Sequence, residues 1–339
     1  MGLAVVEVQL DVLAVGDVVT DAFIKLLDEE ARVEQAKDGP RLSLPFATKV
    51  PFGHAEVIEG VGNAANAAVA ITKLGLQAGL VSNVGGDDWG RDILRALNKM
   101  KVDTRFVRIN SSHASNYHYV LWYKDERIIL IKHENYSYRW PRFTVSDIPR
   151  WLYFSSVSKH ALEYHDQIAE WLDGHPPVKL AFQPGTFQIE IGAERLKRLY
   201  QRSEILAVNK EEAAAISGGK PDEIDDLFDR LHELGPRVVV ISDGPKGAYA
   251  SDGTNRFKMP IYPDPKPPYE RTGAGDAFAS TFVAAIIKGA DVEGALLWAP
   301  INSMSVVQKV GAQAGLLDVD EIEHYLAKAP DEYHPRRLK

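Results

Sequence analysis

Short β-branched runs alternate with helix-patterned stretches along most of this chain, and that alternation restricts the architectures open to it. "VLAVGDV" (12–18) is followed by "NAANAAVAITKLG" (63–75), "QAGLVSNVG" (77–85) and "WGRDILRALNKMKV" (89–102). The rhythm resumes in "WLYFSSV", "QIAEWLDG", "VKLAFQPG", "EILAVNKEEAAAIS" and "RVVVISDG". Repeated βα units of this kind predict an α/β fold with a mainly parallel central sheet and helices on both faces. Two stretches break the rhythm. Residues 22–58 have no clean period, and "SNYHYVLWYKDERIILIKH" (115–133) alternates like two strands joined by a charged turn at Lys124-Asp125-Glu126. Both read as strands leaving the main sheet to build a small β lid, drawn from about 22–58 and 105–135. With no internal repeat or long linker, residues 1–339 read as one domain.

Composition removes several function classes. Among 339 residues, Lys and Arg total 39 against 47 Asp and Glu, a formal net charge of −8, and the longest basic run is the "PRRLK" tail. That balance argues against nucleic acid or an anionic membrane as partner. The chain has no cysteine, which excludes disulfides, a thiol nucleophile and cysteine-ligated metal. Glu7, Gln9 and Asp11 interrupt the apolar N-terminus, so it reads as strand rather than signal peptide or membrane span. The expectation is a cytoplasmic protein.

"ERTGAGDAFAS" (270–280) places two glycines, an alanine and an acid where a helix begins. Glycine at 273 and 275 lets the backbone approach a ligand, and the unpaired amides of a helix start hold an anion. Gly273, Ala274 and Gly275 would then cradle a developing phosphoryl charge while Asp276 takes a proton from an acceptor hydroxyl. The helix terminus would favour ionised Asp276 and make it a weak base, which phosphoryl transfer tolerates. The competing reading is an ordinary helix start with a capping Asp.

Other segments bear the same double reading. Asn209 ends a strand and Glu212 follows three residues on, so their side chains could serve a hydrated Mg2+ on nucleotide phosphates or simply form a capping box. Ser242, Gly244 and Gly247 in "VVVISDGPKGAYA" fit a nucleotide-facing loop or a β-turn. Gly60-Val61-Gly62 with Ala65 resembles a dinucleotide fingerprint, but no acid follows at the required distance of about 20 residues, and no P-loop pattern is present. Asn63 and Asn66 share a helical face and could both reach a polar ligand. Asp17 and Asp21 follow the first strand, where open sheets bind ligands; the expectation is that one of them is solvated, and pattern alone does not choose which.

Taken together, "VGDVVTD", "GVGNAANAA", "VSNVGGDDWGRDIL", "AVNKEEA", "VISDGPKGA", "RTGAGDAF" and the late "VGAQAG" resemble the PfkB, or ribokinase-like, family. The resemblance implies a three-layer α/β/α sandwich with a β lid that moves the γ-phosphate of ATP to a hydroxymethyl group. It makes Asp276 the base and Gly273, Ala274 and Gly275 the anion hole. Asn209 and Glu212 become the phosphate and Mg2+ side, and Ser242, Gly244 and Gly247 the nucleotide loop. Asn302 lies near the adenine, and Asp21, Gly62, Asn63 and Asn66 bind the acceptor. It also implies a homodimer through the lid. The chain departs from the family pattern at Glu270-Arg271, where Asp-Thr is usual, which leaves a monovalent cation open. It departs again at Asn63, at Gln183 where relatives carry an acid, and in the longer segment 22–58. Lys49, Arg127 and Lys132 would suit a sugar acid, and Tyr117, Tyr119, Trp122 and Tyr123 a nucleoside. A sugar or sugar-like alcohol is the expected acceptor, with a nucleoside kinase, a non-catalytic sugar-binding regulator and a nicotinamide dehydrogenase as successive alternatives.

Overall fold

The structure, a computed structural model, describes residues 9–37, 39–124 and 126–338. Glu7 of the expected N-terminal strand and Asp125 of the charged turn therefore lie outside the described residues. The first strand is Val12–Val15, and all four of its residues are buried. It sits inside a sheet of ten strands. Parallel neighbours Trp151–Phe154, Lys179–Phe182, Ser203–Asn209 and Val238–Ser242 extend one side in order. Ala78–Gly85 and Val107–Asn110 extend the other, also parallel. Ala248–Ser251, Arg256–Met259 and Arg336–Arg337 complete the far edge as antiparallel strands.

Strand alternation divides the core between two faces. Val12 and Ala14 join one apolar cluster, with helices Asn63–Lys73, Ala274–Ile287 and Val292–Val306, while Leu13 and Val15 join a second with Leu162–Gly174 and Ile224–Glu233. A strand buried on both faces needs apolar residues at odd and even positions, which "VLAV" supplies. The result is the three-layer α/β/α sandwich.

A second sheet of four strands stands over the carboxyl ends of the first. Its order is Phe52–Val61, Val19–Leu26, Tyr117–Tyr123 and Glu126–Leu130. The stretch 105–135 is divided rather than wholly lid, because Val107–Asn110 pairs with Ala78–Gly85 in the central sheet. Residues 22–58 also hold a separate hairpin, Arg32–Ala36 with Gly39–Ser43. In the small sheet, Asp21 is the cross-strand partner of His118, and Trp122 of Arg127. Period-2 alternation then puts Asp21, His118, Arg127 and Ile129 on the face that looks down on the central sheet.

Candidate active site

A cavity of about 470 Å³ lies between the lid and the carboxyl ends of the parallel strands. Strand ends and the turns after them deliver its polar lining: Asp17 after Val12–Val15, Gln183 after Lys179–Phe182, and Asn209 at the end of its strand. Asp276 enters from the first turn of Ala274–Ile287. Gly273, before that helix, has φ 82°, and a Cβ there would stand 2.2 Å from the Cβ of Ala312. No other residue fits without moving the chain.

The Asp276 carboxylate is held from three directions. Asn63 Nδ2 and Gln183 Nε2 both donate to Oδ1 at 3.0 Å, and Asn66 Nδ2 donates to Oδ2 at 2.8 Å. The two asparagines thus serve the acid rather than capping their own helix, whose start at Gly62 has no side-chain cap. Burial is the largest influence on Asp276 and pushes its pKa above the ordinary carboxylate value, against the opposing effects of the three amides and of Arg127. This runs against the expectation of a weakly basic carboxylate: the lid and cavity walls strip water from it, and that outweighs the amide donors and Arg127. Ala277 N, bonded to Gly273 O at 2.8 Å, is the amide that opens the helical ladder, so the N–H groups of Gly275 and Asp276 precede it.

Asn209 and Glu212 form the capping box, with Glu212 N donating to Asn209 Oδ1 and Asn209 N to Glu212 Oε2, each at 2.8 Å. Both also line the cavity, so the two readings of this pair coexist. Burial raises the pKa of Glu212, and the Asp276 charge raises it further. Four acids, Asp17, Asp21, Glu212 and Asp276, face the cavity against two guanidinium groups, Arg127 and Arg271. Among the described residues no cluster of three or more His, Asp or Glu could hold a metal by itself. Such a donor set fits a hydrated Mg2+ shared with phosphates, since that ion takes few carboxylates and keeps its waters.

A second cavity of about 230 Å³ adjoins the first and shares Ser242, Arg271, Gly275 and Phe278 with it. Its walls are the turn holding Gly244, Pro245 and Gly247, the segment with Ile261, Tyr262 and Pro268, and one side of helix Val292–Val306. The turn does join antiparallel strands, yet it also faces this space. Asn302 is the residue the structure moves away. It is fully buried, donates to Thr281 Oγ1 at 2.7 Å and accepts from Leu317 N at 2.9 Å, while Pro300, Ser303, Met304 and Val307 line the cavity.

Both Asp17 and Asp21 are buried cavity residues, so neither is the solvated acid that was expected. His118 and His133 join them on the cavity wall, and only their alternation with other lid residues hinted at it. Of the lid bases, Arg127 reaches the cavity and stands 3.8 Å from Glu270, whereas Lys49 and Lys132 are exposed. Tyr117, Tyr119, Trp122 and Tyr123 do not line the cavity. Trp122 packs on Tyr269 beneath Lys25 instead. Glu270 is fully buried and accepts from Thr272 N at 2.8 Å, Thr272 Oγ1 at 2.6 Å and Gly311 N at 3.3 Å.

A lidded polar cavity holding a carboxylate, a less polar one beside it, and open helix amides where the two meet form the layout of a small-molecule kinase. The profile of the pfkB family of carbohydrate kinases matches residues 57–319, and the chain belongs to that family. It is 27% identical over 276 residues to a ribokinase of Bacillus subtilis, covering 78% of this chain and 87% of that one. It is also 27% identical over 285 residues to a nucleoside kinase of Methanocaldococcus jannaschii, covering 79% and 85% respectively. Among solved structures, a putative ribokinase II from E. coli, determined with ATP and Mg2+, superimposes with a TM-score of 0.74 at 18% identity, over 94% of this chain and 99% of that one.

Proposed function

We propose that the protein transfers the γ-phosphate of ATP to a hydroxymethyl group of a small sugar or sugar-like alcohol. The observation that carries this is Asp276, a carboxylate of raised pKa held by three amides in the larger cavity, next to Gly275, which lines both cavities. In this reading the acceptor occupies the larger cavity under the lid, and its hydroxyl proton passes to Asp276. The amides of Gly275 and Asp276, with the Gly273–Ala274–Gly275 backbone, stabilise charge on the transferring group as it develops. ATP lies along the shared wall, its base in the less polar cavity between the Gly244–Gly247 turn and Ser303. Mg2+, with Asn209 and Glu212 on its side, would neutralise phosphate charge. Glu270 is already satisfied by Thr272 and Gly311, so no monovalent cation enters the proposal.

The sugar reading is favoured over a nucleoside because none of Tyr117, Tyr119, Trp122 and Tyr123 lines the cavity, although the similarity to a nucleoside kinase keeps that acceptor class in the assay. Assembly as a homodimer through the lid is part of the proposal. Val57, Tyr119, Ile128 and Leu130 are exposed on the small sheet's outer side, opposite the cavity-facing residues. Residues 1–339 acting as one domain and a cytoplasmic location are proposed on the same basis. Among the described residues no helix is long and apolar enough to cross a membrane. The test is ADP production from Mg-ATP with D-ribose, D-fructose, sugar acids and adenosine, with the product's phosphorylated position read by 31P NMR. Phosphorylation of a primary hydroxyl is expected; ATP binding with no transfer to any acceptor counts against the reading.

A further inference from the structure

Arg271 stands where the two cavities meet. Ser242, Arg271, Gly275 and Phe278 line both spaces, and of these Arg271 alone carries a charge. It lies two residues ahead of Gly273, where the backbone turns at positive φ into the helix that carries Asp276. One turn thus delivers the guanidinium and the carboxylate.

That turn is joined to the lid by two reciprocal ion pairs. Glu-Arg occurs on both sides, at 126–127 in the lid and at 270–271 before the glycines, and the base of each meets the acid of the other. Arg127 Nε is 3.8 Å from Glu270 Oε1, and Arg271 Nε is 3.8 Å from Glu126 Oε1. The two pairs are unequal. Glu270 is fully buried, so Arg127 compensates a charge that water does not reach, and it is costly to move. The Glu126 side chain is 69% exposed, and a pair with a solvated acid adds little to stability. At 3.8 Å this second pair is an attraction without a hydrogen bond. Four acids face the larger cavity, so a phosphate entering it meets repulsion that cations on its wall must offset. A guanidinium does so with a planar fork of N–H donors that matches phosphate oxygens.

We propose that Arg271 is a catalytic residue: its guanidinium leaves Glu126 of the lid and donates to the oxygens of the phosphoryl group as that group passes from the smaller cavity to the larger. The inference rests on reading the two cavities as donor and acceptor sites. In that transfer the bond from the γ-phosphorus to the bridging oxygen of ADP breaks, the acceptor oxygen bonds phosphorus, and the hydroxyl proton goes to Asp276. Arg271 gives up no proton and supplies N–H donors and charge. Glu126 keeps the guanidinium at the junction before phosphate arrives.

The test uses the full chain with Arg271→Ala and Arg271→Lys. Single-turnover transfer by Arg271→Ala should fall about 10²- to 10³-fold, the size of one lost transition-state donor, while the acceptor KM stays near wild type. Arg271→Lys should recover part of the loss, since it keeps the charge and not the fork. Millimolar guanidinium ion should restore transfer to Arg271→Ala and leave wild type unaffected. Binding gives a readout apart from turnover. Aluminium fluoride, a mimic of the transferring phosphoryl group, should tighten Mg-ADP binding to wild type; Arg271→Ala should lose that gain and keep its affinity for Mg-ADP alone. Transfer by Arg271→Ala at the wild-type rate overturns the proposal. So does an equal loss of affinity for Mg-ADP with and without the fluoride, which would make Arg271 structural. If wild type turns over none of D-ribose, D-fructose and adenosine, the kinase reading fails separately. The fluoride measurement then decides alone, and a gain that is absent from wild type or equal in Arg271→Ala overturns the role of Arg271.

Discussion

Asp276 sits at a balance between desolvation, which favours its neutral form, and three amide donors, which favour its charge. Asn63 is the cleanest donor to remove, because among the described residues its amide bonds only Asp276. Asn63→Ala weakens the charged form, so the pKa rises further and the acidic limb of kcat/KM moves to higher pH. A kcat/KM profile that stays put or moves to lower pH rules out this balance. That Asp276 would stand in the first turn of a helix behind a glycine turn was legible from the sequence. Its basicity was not, because its partners Asn66 and Gln183 lie 210 and 93 positions away in the chain. Asn302 was misplaced for a related reason. Pro300, Ser303, Met304 and Val307 are spaced so that they share a helical face, and Asn302 points off it into the core.

The glycine turn before Ala274–Ile287 separates architecture from chemistry. Gly273 has positive φ and a Cβ would meet Ala312 at 2.2 Å, whereas a Cβ on Gly275 meets nothing within 4 Å. Gly273→Ala should therefore lower stability by about 1–3 kcal/mol, read in urea melts, and take activity with it. Gly275→Ala should leave the melt unchanged and lower kcat by putting a methyl where the transferring group sits. The same melt for both variants contradicts this division. Among larger elements, the lid strands were readable from alternation in 115–133. Their register was not, and register alone sets Asp21 opposite His118. Val107–Asn110 escaped because its short run gives no sign of which sheet edge it will join.

The whole molecule is a covered sandwich, and its rhythm of strands and helices was plain in the sequence because strands buried on both faces must be apolar throughout. What the lid's outer face covers was less plain. If Val57, Tyr119, Ile128 and Leu130 meet a second copy, Ile128→Lys with Leu130→Asp yields a monomer by light scattering at concentrations where the wild type is a dimer. A wild type that is already monomeric removes the assembly from the account. The central claim is that Asp276 takes the acceptor's proton, and the most direct measurement is single-turnover phosphoryl transfer from Mg-ATP in wild type and Asp276→Asn, with ligand binding measured alongside. The account predicts that the variant folds and binds both substrates while transfer slows by about 10²- to 10⁴-fold, the contribution of a positioned general base. Transfer at the wild-type rate in Asp276→Asn would contradict it.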